Sequence, residues 1–501
     1  MIKKIQLPLQ TVNLIAGFMV WVLISSLLPF MKEDISIPAD QLAWVTAIPV
    51  ILGSLLRIPL GYLTNLFGAR KIFMISFIIL LFPVYYIAHA SAFTDLLIGG
   101  LFLGLGGAIF SVGVTSVPKY YPKERHGFIN GIYGAGNIGT AITAFTAPVI
   151  ASQFGWSLTV QFYLMLLAVM ALANFFLGDK KEPKVRTSLS EQLRGIAKNE
   201  KLWLFCLFYF ITFGSFVAFT IYLPNFLVAN FGLEKVDAGI RTAGFIVIAT
   251  IMRPIGGWLA DRFHSLKLLM FVFGGYTLAA MLLSFAPSIG LYTAGCLTIA
   301  LCAGMGNGVI FKLVPAYFPK QSGIANGVVS AMGGLGGFFP PLILALLFKL
   351  TGHYAIGFMA LSEVALASFV LVIWMYYQDR LGMSAQILNS TAEGIMVTDS
   401  KGTIIAVNPA FSKLTGYSAE DVIGKNPNLL KSGLQDGGFY KKMWLDIEEK
   451  GFWQGEIWNR RKDGQNYLEW LTISAVKNEA GEIQQYAGMF SDITALKTKS
   501  V

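Results

Sequence analysis

Two arginines lie in the middle of long apolar stretches, Arg57 in GSLLRIPLGYL and Arg253 in ATIMRPIGGWL. On membrane-insertion scales a charged side chain in such a stretch costs at least about 2.5–3.5 kcal/mol, so each arginine needs a partner or a function. The nearest carboxylate within an apolar stretch is Glu363, and one acid cannot neutralise both arginines. Two planar guanidiniums favour a planar oxyanion held through paired hydrogen bonds. The alternative is that each arginine binds carbonyls at helix ends and holds two parts of the protein together.

Nothing else in the sequence suggests catalytic chemistry. The three cysteines, Cys206, Cys296 and Cys302, all sit in apolar runs and indicate neither a disulfide framework nor a zinc site. We find no nucleophile–base pair, metal-ligand spacing or phosphate loop in a supporting context. The sequence therefore predicts a protein that is not an enzyme and that needs no metal.

The elements that must position the arginines are membrane helices. Of the 501 residues, 55% are hydrophobic and only 13% are charged, against about 25% charged in a soluble globular protein. That composition excludes a wholly soluble protein and a disordered one. Twelve stretches are long enough to cross a bilayer, which takes about 20 apolar residues. They are roughly 11–31, 43–64, 72–91, 95–117, 127–151, 158–177, 202–228, 237–260, 268–286, 290–314, 322–349 and 354–378.

The net charge of +10 is unevenly distributed. Residues 382–501 contain 13 basic and 14 acidic side chains, so the basic excess belongs to the apolar part of the chain. Basic residues there fall in loops on one side of the predicted spans, including Arg186 in the longest connection, whereas acids such as Asp40 lie on the other side. Positive loops are typical of the cytoplasmic face, which predicts that both termini are cytoplasmic. The same distribution argues against nucleic acid as a partner.

The apolar part repeats itself. Residues 53–71 align with 249–267 at an offset of 196, which pairs Arg57 with Arg253. We therefore predict two six-helix halves, 1–178 and 202–380, joined by a cytoplasmic basic loop at 179–201. Parallel repeats of this kind place a substrate site near the midplane between them.

Twelve spans in two halves, with glycine and basic residues in the loops after spans two and eight, resemble the major facilitator superfamily. GYLTNLFGARK is similar to the cytoplasmic gating motif of that family, except that Asn65 stands where the family usually has Asp. The resemblance implies gating roles for Gly61, Arg70 and Lys71 and, in the second copy, for Gly257, Asp261 and Arg262. The alternative is a pair of ordinary helix-ending turns with solvated charges.

Two glycine-dense segments, 131–148 and 327–341, sharpen the resemblance. Glycines let helices approach closely, and packing alone would explain any one of them. As a pair, the segments resemble the signatures of the NarK-type nitrate/nitrite porters, and the similarity extends in order over residues 1–380, through GGAIFSVGV, YFITFGSFVAF and GNGVIFKLVP. The signature glycines are Gly134, Gly136, Gly139, Gly333, Gly334, Gly336 and Gly337.

The family pattern implies a set of anion-binding residues. They are the clamp Arg57 and Arg253, the amide of Asn137, the hydroxyl of Tyr209, and the rings of Phe213 and Phe110 beside the flat anion. For the aromatic residues the alternative is core packing or lipid contact. Lys312 is a further cation within a span, which either adds positive potential at the site or extends its ammonium to the membrane surface.

The resemblance implies a nitrate and/or nitrite transporter of the inner (plasma) membrane that works by alternating access. Both anions are small, planar, monovalent and weakly hydrated. Two arginines that repel when empty argue for exchange, whereas proton-coupled uptake is also known in the family, so the choice between antiport and proton symport stays open. Two alternatives remain: a nitrate-sensing, transporter-like receptor, and a major facilitator transporter of another small anion.

After residue 380 the composition changes to that of a small soluble domain. Residues 387–407 predict strand–turn–strand with the turn at 399–402, 455–476 predict a hairpin turning at 462–464, and 484–494 predict a final strand. The order NPAF, TGY, GKNP, RRKDG, SDIT resembles a PAS domain over 385–497. The predicted fold is therefore an all-α membrane protein of twelve transmembrane helices in two pseudo-repeats, followed by a cytoplasmic α+β PAS domain.

The amino-acid composition of this C-terminal domain limits which cofactors it can bind. All four histidines (His89, His126, His264 and His353) precede it, which excludes histidine-ligated haem there, and it has no cysteine for flavin–cysteinyl chemistry. Asn426 and Asn459 fall where LOV-type PAS domains hold the flavin ring, and NRRKDG resembles NifL-type flavin sensors. Glu469 and Phe490, however, replace the usual amides. The tail either binds FAD or is an empty PAS domain that dimerises or binds a cytoplasmic signalling partner.

Overall fold

The computed structural model describes residues 2–37, 42–184, 188–285, 288–352, 354–478 and 481–497. Asp40, Arg186 and His353 lie outside the described residues. The chain divides into two compact units, 1–375 and 376–501.

The membrane unit is helical throughout its regular structure. Its first half contains α1 (Ile2–Trp21), α2 (Leu23–Asp34), α3 (Leu42–Leu55), α4 (Arg57–Phe67), α5 (Ala69–Ala88), α6 (Phe93–Ala108), α7 (Phe110–Ser116), α8 (His126–Gly134), α9 (Ile138–Phe154) and α10 (Trp156–Leu177). The connection contains α11 (Leu189–Ala197), and the second half contains α12 (Glu200–Phe231), α13 (Lys235–Arg262), α14 (Ser265–Ser284), α15 (Ile289–Tyr317), α16 (Ser322–Thr351) and α17 (Ala355–Ser390), the last of which continues into the second unit.

Ten helical segments in the described part of the chain are long and apolar enough to cross a bilayer. Two of the twelve predicted spans are not among them. The stretch 127–151 is divided by the 3₁₀ turn Ala135–Asn137, which leaves pieces of 9 and 17 residues. The stretch 322–349 lies in the 30-residue helix α16, whose side chains are described only as far as residue 339.

The helices of the first half are interrupted where the sequence predicted continuous spans. Breaks occur at Val22, at Leu56, at Ile109 and at the 3₁₀ turn Ala135–Asn137. The break at Leu56 has a local cause, because Pro59 lacks the N–H that would bond the carbonyl four residues before it. The corresponding helices of the second half, α13, α15 and α16, run without a break.

Glycine backbones bring the two halves together at positions related by the repeat. A Cβ on Gly131 would lie 2.7 Å from the carbonyl oxygen of Arg253. A Cβ on Gly327 would lie 2.8 Å from the carbonyl oxygen of Arg57. Any larger residue would force the helices apart, so these glycines set how closely α8 meets α13 and α4 meets α16.

The second unit is a five-stranded antiparallel sheet in the order β2-β1-β5-β4-β3, with short helices between the strands. The strands are β1 (Gly394–Asp399), β2 (Ile404–Val407), β3 (Phe452–Arg460), β4 (Asn466–Lys477) and β5 (Ile483–Asp492). The helices are α18 (Pro409–Thr415), α19 (Ala419–Val422), α20 (Gly437–Lys450) and α21 (Thr494–Lys497). Phe411, Leu471 and Phe490 belong to its buried core.

Both predicted turns of this unit are confirmed. In the first, Gly402 adopts φ +79°, and the side chain of Asp399 accepts the amide of Thr403 at 2.8 Å. In the second, Gly464 adopts φ +91°, and the amide of Arg461 donates to the carbonyl of Gln465 at 2.9 Å. Both glycines occupy the left-handed region that other residues rarely adopt.

Candidate functional site

Arg57 is the first residue of α4, directly after the break at Leu56, and it is fully buried. Its Nη1 donates to the carbonyl of Ser330 in the opposite half at 2.7 Å, and its Nε donates to the carbonyl of Gly107 at 3.3 Å. Its Nη2 is buried and has no hydrogen-bond partner among the described residues. The alternative to an anion clamp was that the arginines bind carbonyls across the halves. Arg57 does bind the carbonyl of Ser330, but its Nη2 is not used for such a bond among the described residues.

Arg253 is equally buried, within α13. Its Nη2 donates to the hydroxyl of Tyr209 at 3.3 Å. The side chain lies against Gly134, where a Cβ would come 2.7 Å from Arg253 Cδ. This signature glycine therefore makes room for the guanidinium.

Phe110 begins α7 and places its ring beside both guanidiniums. The Cζ atoms of Arg57 and Arg253 lie 5.4 and 4.9 Å from the ring centroid, close enough for both cations to interact with the π face. Phe213 approaches from the second half, 5.3 Å from Arg57 Cζ, and stacks on Tyr209 at 5.1 Å between centroids. Five residues singled out in the sequence thus form one buried cluster between the halves.

Asn137 is buried, and it ends the 3₁₀ turn that begins directly after Gly134. Its anion-binding role stays a prediction. The other signature glycines mark close contacts: an added Cβ would lie 2.8 Å from Leu14 Cβ at Gly136, 3.1 Å from Ile15 Cα at Gly139, 3.1 Å from Tyr209 Cγ at Gly333, 3.0 Å from Ser54 Cβ at Gly334, 3.0 Å from Gly214 Cα at Gly336 and 2.6 Å from Val217 Cγ1 at Gly337. Their common effect is to admit side chains and backbone that any larger residue would displace.

We call the buried cluster around Arg57 and Arg253 the anion cluster. Lys312 does not belong to it, which corrects its assignment as a substrate-binding residue. Its Nζ lies 2.7 Å from Asp261 Oδ1 and donates to the carbonyl of Lys123 at 2.8 Å. The long side chain places its charge at the gating motif, where a carboxylate neutralises it. Of the two interpretations that the sequence left open, the structure favours an ammonium directed away from the site.

The sequence did not single out two aromatic residues of the cluster. The hydroxyl of Tyr133 lies 3.1 Å from the carbonyl oxygens of Ile109 and Phe110. The ring of Phe311 packs edge-on against Phe110 and Tyr209, with centroids 5.2 and 4.8 Å apart. Both occur in segments quoted for the family resemblance, Tyr133 beside Gly134 and Phe311 beside Lys312, so their neighbours were the available signal.

Asp261 is the central acid of the gating motif. Its carboxylate accepts the amides of Gly127 and Phe128, at 2.9 and 2.8 Å, across the boundary between the halves. These amides open α8, where the helix dipole favours a negative charge. At the repeat-related position, Asn65 lies beside Gly323 near the start of α16, where a Cβ would come 2.9 Å from Asn65 Cγ. One junction is therefore charged and the other is neutral.

The remaining motif residues lie at the surface of their own half. Arg70 donates to the carbonyl of Phe175 at 2.6 Å and lies over its ring. Arg262 lies over the ring of Trp258 at 4.3 Å, and Lys71 is exposed. The predicted gating glycines are both at the junctions, Gly61 against Gly323 and Gly257 against Gly127.

Two further sets of contacts near the gate were not predicted. Glu182, in the basic connection, is buried and accepts the amide of Ala69 at 2.7 Å and the ammonium of Lys119 at 2.9 Å. Asn130 Nδ2 donates to the carbonyl of Phe311 at 2.9 Å, and Asn326, its repeat partner, donates to the carbonyl of Val114 at 3.3 Å; both bonds cross between the halves. The two asparagines are separated by the same offset of 196 as Arg57 and Arg253.

A small cavity of about 50 Å³ adjoins the cluster. Residues of both halves line it, among them Trp21, Val50 and Thr140 from the first and Phe213 and Val217 from the second. Its walls are mainly apolar, so the charged groups of the site are confined to the arginine cluster.

The sheet unit has a larger cavity, of about 150 Å³. At its wall Asn459 Nδ2 donates to Glu469 Oε1 at 2.8 Å, and the buried hydroxyl of Tyr467 also interacts with the Glu469 carboxyl. Burial raises the pKa of Glu469 to about 7. Asn426 also lines this cavity but is exposed, with its amide donating to the carbonyl of Gly402 at 3.2 Å.

Comparison with known families identifies both parts of the chain. Residues 11–341 match the family model described as Major Facilitator Superfamily. Residues 392–495 match the model described as PAS domain. The two matches fall in the two compact units.

Individual proteins match about three quarters of the chain. A "Nitrite extrusion protein" of Bacillus subtilis (strain 168) is 67% identical over 379 residues, which is 76% of this chain and 96% of that protein. A "Probable nitrate transporter NarT" of Staphylococcus haemolyticus is 52% identical over 374 residues, 75% of this chain and 97% of its own. The solved structure of the human organic anion transporter MFSD10 (TETRAN) covers 74% of this chain and 99% of its own, at 15% identity and a TM-score of 0.62, and this likeness concerns the fold alone.

Proposed function

The chain belongs to the major facilitator superfamily and carries a PAS domain, and on that premise we propose that it transports nitrate and nitrite across the cytoplasmic membrane by alternating access. The names of the relatives, a nitrite extrusion protein and a probable nitrate transporter, support this substrate class. The observation that carries the proposal is the buried pair Arg57 and Arg253 beside one ring, with Arg57 Nη2 unpartnered among the described residues. The proposed activity is transport without catalytic chemistry.

The shape and charge of the cluster suit these anions. A single negative charge between two guanidiniums relieves their mutual repulsion, and the donor fork of arginine matches a planar oxyanion. The rings of Phe110 and Phe213 lie 5.4 and 5.3 Å from Arg57 Cζ and offer flat surfaces beside the guanidiniums. Nitrate and nitrite are weakly hydrated, so transfer into a dry site costs less than for sulfate or phosphate.

The binding of the anion is coupled to closure because the cluster joins the two halves. Arg57 belongs to the first half and bonds Ser330 of the second, whereas Arg253 of the second half packs on Gly134 of the first. Without an anion the two cations oppose this approach, and with one they favour it. A ligand that stabilises the closed form more than the open form shifts the population accordingly.

We propose that the gating side and both termini face the cytoplasm, which the basic connections, including 179–201, support by the positive-inside rule. Nitrate/nitrite exchange is favoured over proton symport, because Glu363, the nearest intramembrane acid in the sequence, is exposed on α17. Proton coupling is an outcome of the experiment below.

The PAS domain is proposed to regulate transport or to signal to a cytoplasmic partner, either through FAD or as an empty domain that dimerises. The cavity suits a flavin, since it combines apolar walls with the polar side chains of Asn459 and Glu469. Asn459 and Glu469 would hold the polar edge of the ring. When bound, FAD would supply reversible electron transfer. Asn426, whose amide is engaged at Gly402, would contribute at the rim.

Counterflow in proteoliposomes tests the proposal. Vesicles loaded with nitrite should take up labelled nitrate, and the reverse, both with and without a proton gradient. Exchange that is independent of the gradient supports antiport, whereas uptake driven by the gradient supports symport. Binding without flux would favour the sensor, and failure of nitrate to compete would favour another anion.

A further inference from the structure

Tyr133 occupies a special position next to the anion cluster. It is fully buried, and it lies at the end of α8 next to Gly134, on which Arg253 rests. Its hydroxyl lies 3.1 Å from each of two consecutive carbonyl oxygens, those of Ile109 and Phe110. These residues stand at the break between α6 and α7, where the regular ladder of helix bonds is interrupted.

The ring of Phe110 depends on that break. Phe110 is the first residue of α7, so the backbone at residues 109 and 110 sets where its ring points. The ring of Tyr133 lies 5.8 Å from it between centroids. Gly113 gives Tyr133 access, because a Cβ there would lie 2.7 Å from the hydroxyl.

From these contacts we infer that Tyr133 is a positioning residue that fixes Phe110 between the two arginines and thereby selects planar anions. The inference rests on the proposed function. Its hydroxyl donates to a carbonyl and meets no anion itself. With that bond in place, the ring stays against both guanidiniums, 5.4 and 4.9 Å from their Cζ atoms, and forms one flat side of the site. When it is lost, the wall yields and admits bulkier anions.

Perchlorate is a suitable probe of shape, because it is monovalent and weakly hydrated like nitrate but tetrahedral. The experiment measures how well perchlorate and nitrate each inhibit labelled nitrite counterflow in full-length protein. We expect nitrate to be preferred by the wild type. In Tyr133→Phe the preference for nitrate over perchlorate should fall about three- to tenfold, the effect of one hydrogen bond, with a smaller change in maximal flux.

Matched variants separate positioning from general packing. Tyr163→Phe removes another buried tyrosine hydroxyl of the first half, which lies 3.0 Å from Thr143 Oγ1, and should leave the preference unchanged. Phe110→Leu should lower the preference, and adding Tyr133→Phe to it should lower it no further, because the two residues act through one wall.

The outcomes are distinct. If the wild type exchanges nitrate but Tyr133→Phe retains its preference, the inference is overturned while the proposed function stands. If the wild type exchanges no nitrate, the proposed function fails first. Should Tyr133→Phe not insert, Gly113→Ala tests the same contact, since its Cβ displaces the hydroxyl; an unchanged preference there also overturns the inference.

Discussion

Lys312 Nζ lies 2.7 Å from Asp261 Oδ1, and the same carboxylate accepts two amides at the start of α8 in the opposite half. The carboxylate of Asp261 is thus stabilised both by the ammonium of Lys312 and by the N-terminal end of α8. Phe311, the residue before Lys312, contacts the anion cluster. Two adjacent residues of α15 therefore contact the gate and the site.

Lys312→Met should loosen the gate without touching the arginines. Hydrogen bonds to charged groups contribute about 1.5–3 kcal/mol, so the equilibrium constant between the closed and open forms should shift towards the open form by roughly tenfold or more. The measurement is alkylation of a cysteine placed at buried Ser330, which should speed up correspondingly. Lys320→Met, at an exposed lysine between α15 and α16, is the control. Equal alkylation in both variants would contradict a gating role.

Arg57→Lys and Arg253→Lys should each nearly abolish transport while the protein still inserts. Lysine keeps the charge but loses the forked donor, and in Arg57→Lys one ammonium cannot serve Ser330, Gly107 and an anion in the same geometry. Counterflow in vesicles with matched protein content measures this. Near wild-type flux in either variant would show that the clamp is misassigned.

Asn137→Ala and Tyr209→Phe should weaken nitrate and nitrite unequally. Each change removes one neutral hydrogen-bonding group, worth roughly 0.5–1.5 kcal/mol, and nitrate presents one more oxygen than nitrite. Half-saturation concentrations for both anions give the comparison. If the half-saturation concentrations for nitrate and nitrite rose equally, Asn137 and Tyr209 would contribute only packing.

The PAS domain should lose stability as pH rises through the titration of Glu469. Its pKa is raised from about 4.5 to about 7 by burial. Below about pH 4.5 the group is protonated in both states; between about 4.5 and 7 only the unfolded chain ionises, which lowers the free energy of unfolding by about 3 kcal/mol in all. Urea unfolding of residues 382–501 at pH 5 and 8 measures this. Glu469→Gln should remove the difference between the two, and an unchanged pH dependence in that variant would argue against the assignment.

Residues 382–501 should also express alone as a soluble domain and, if the flavin proposal holds, show absorbance in the blue that dithionite bleaches and air restores. Asn459→Ala should lower the flavin content, because the amide beside Glu469 is lost. Transport by the full chain should then differ between oxidised and reduced states. A domain that stays colourless after incubation with FAD leaves only partner binding or dimerisation.

The sequence alone was sufficient to predict that Arg57 and Arg253 come together, because the repeat with its offset of 196 relates them. It also predicted both turns of the PAS sheet, since each needs a glycine in the left-handed region. The membrane spans, however, were predicted from the length of the apolar stretches alone, which treats each stretch as one helix. The breaks at Leu56 and Ile109 were not predicted, although Arg57 and Phe110 are the residues that directly follow them.

Long side chains caused the other miss. Lys312 has its Cα within a span, and only the folded chain shows that its ammonium reaches Asp261 rather than the arginines. Glu182 is the opposite case, a residue from a charged connection that becomes buried because helix α5 offers it an amide. In both, the destination of the charge depends on a partner distant in sequence.

The unequal gate junctions have a consequence for the order in which the molecule opens. Asp261 closes the junction of α8 and α13 with charge, whereas Asn65 faces the start of α16 without it. Mobile ions screen charged contacts but not neutral ones, and for the largely buried Lys312–Asp261 pair the screening grows once the junction begins to open. Raising ionic strength should therefore favour opening at the charged junction, so that the two halves part as a hinged pair rather than symmetrically, while the neutral junction does not respond to salt.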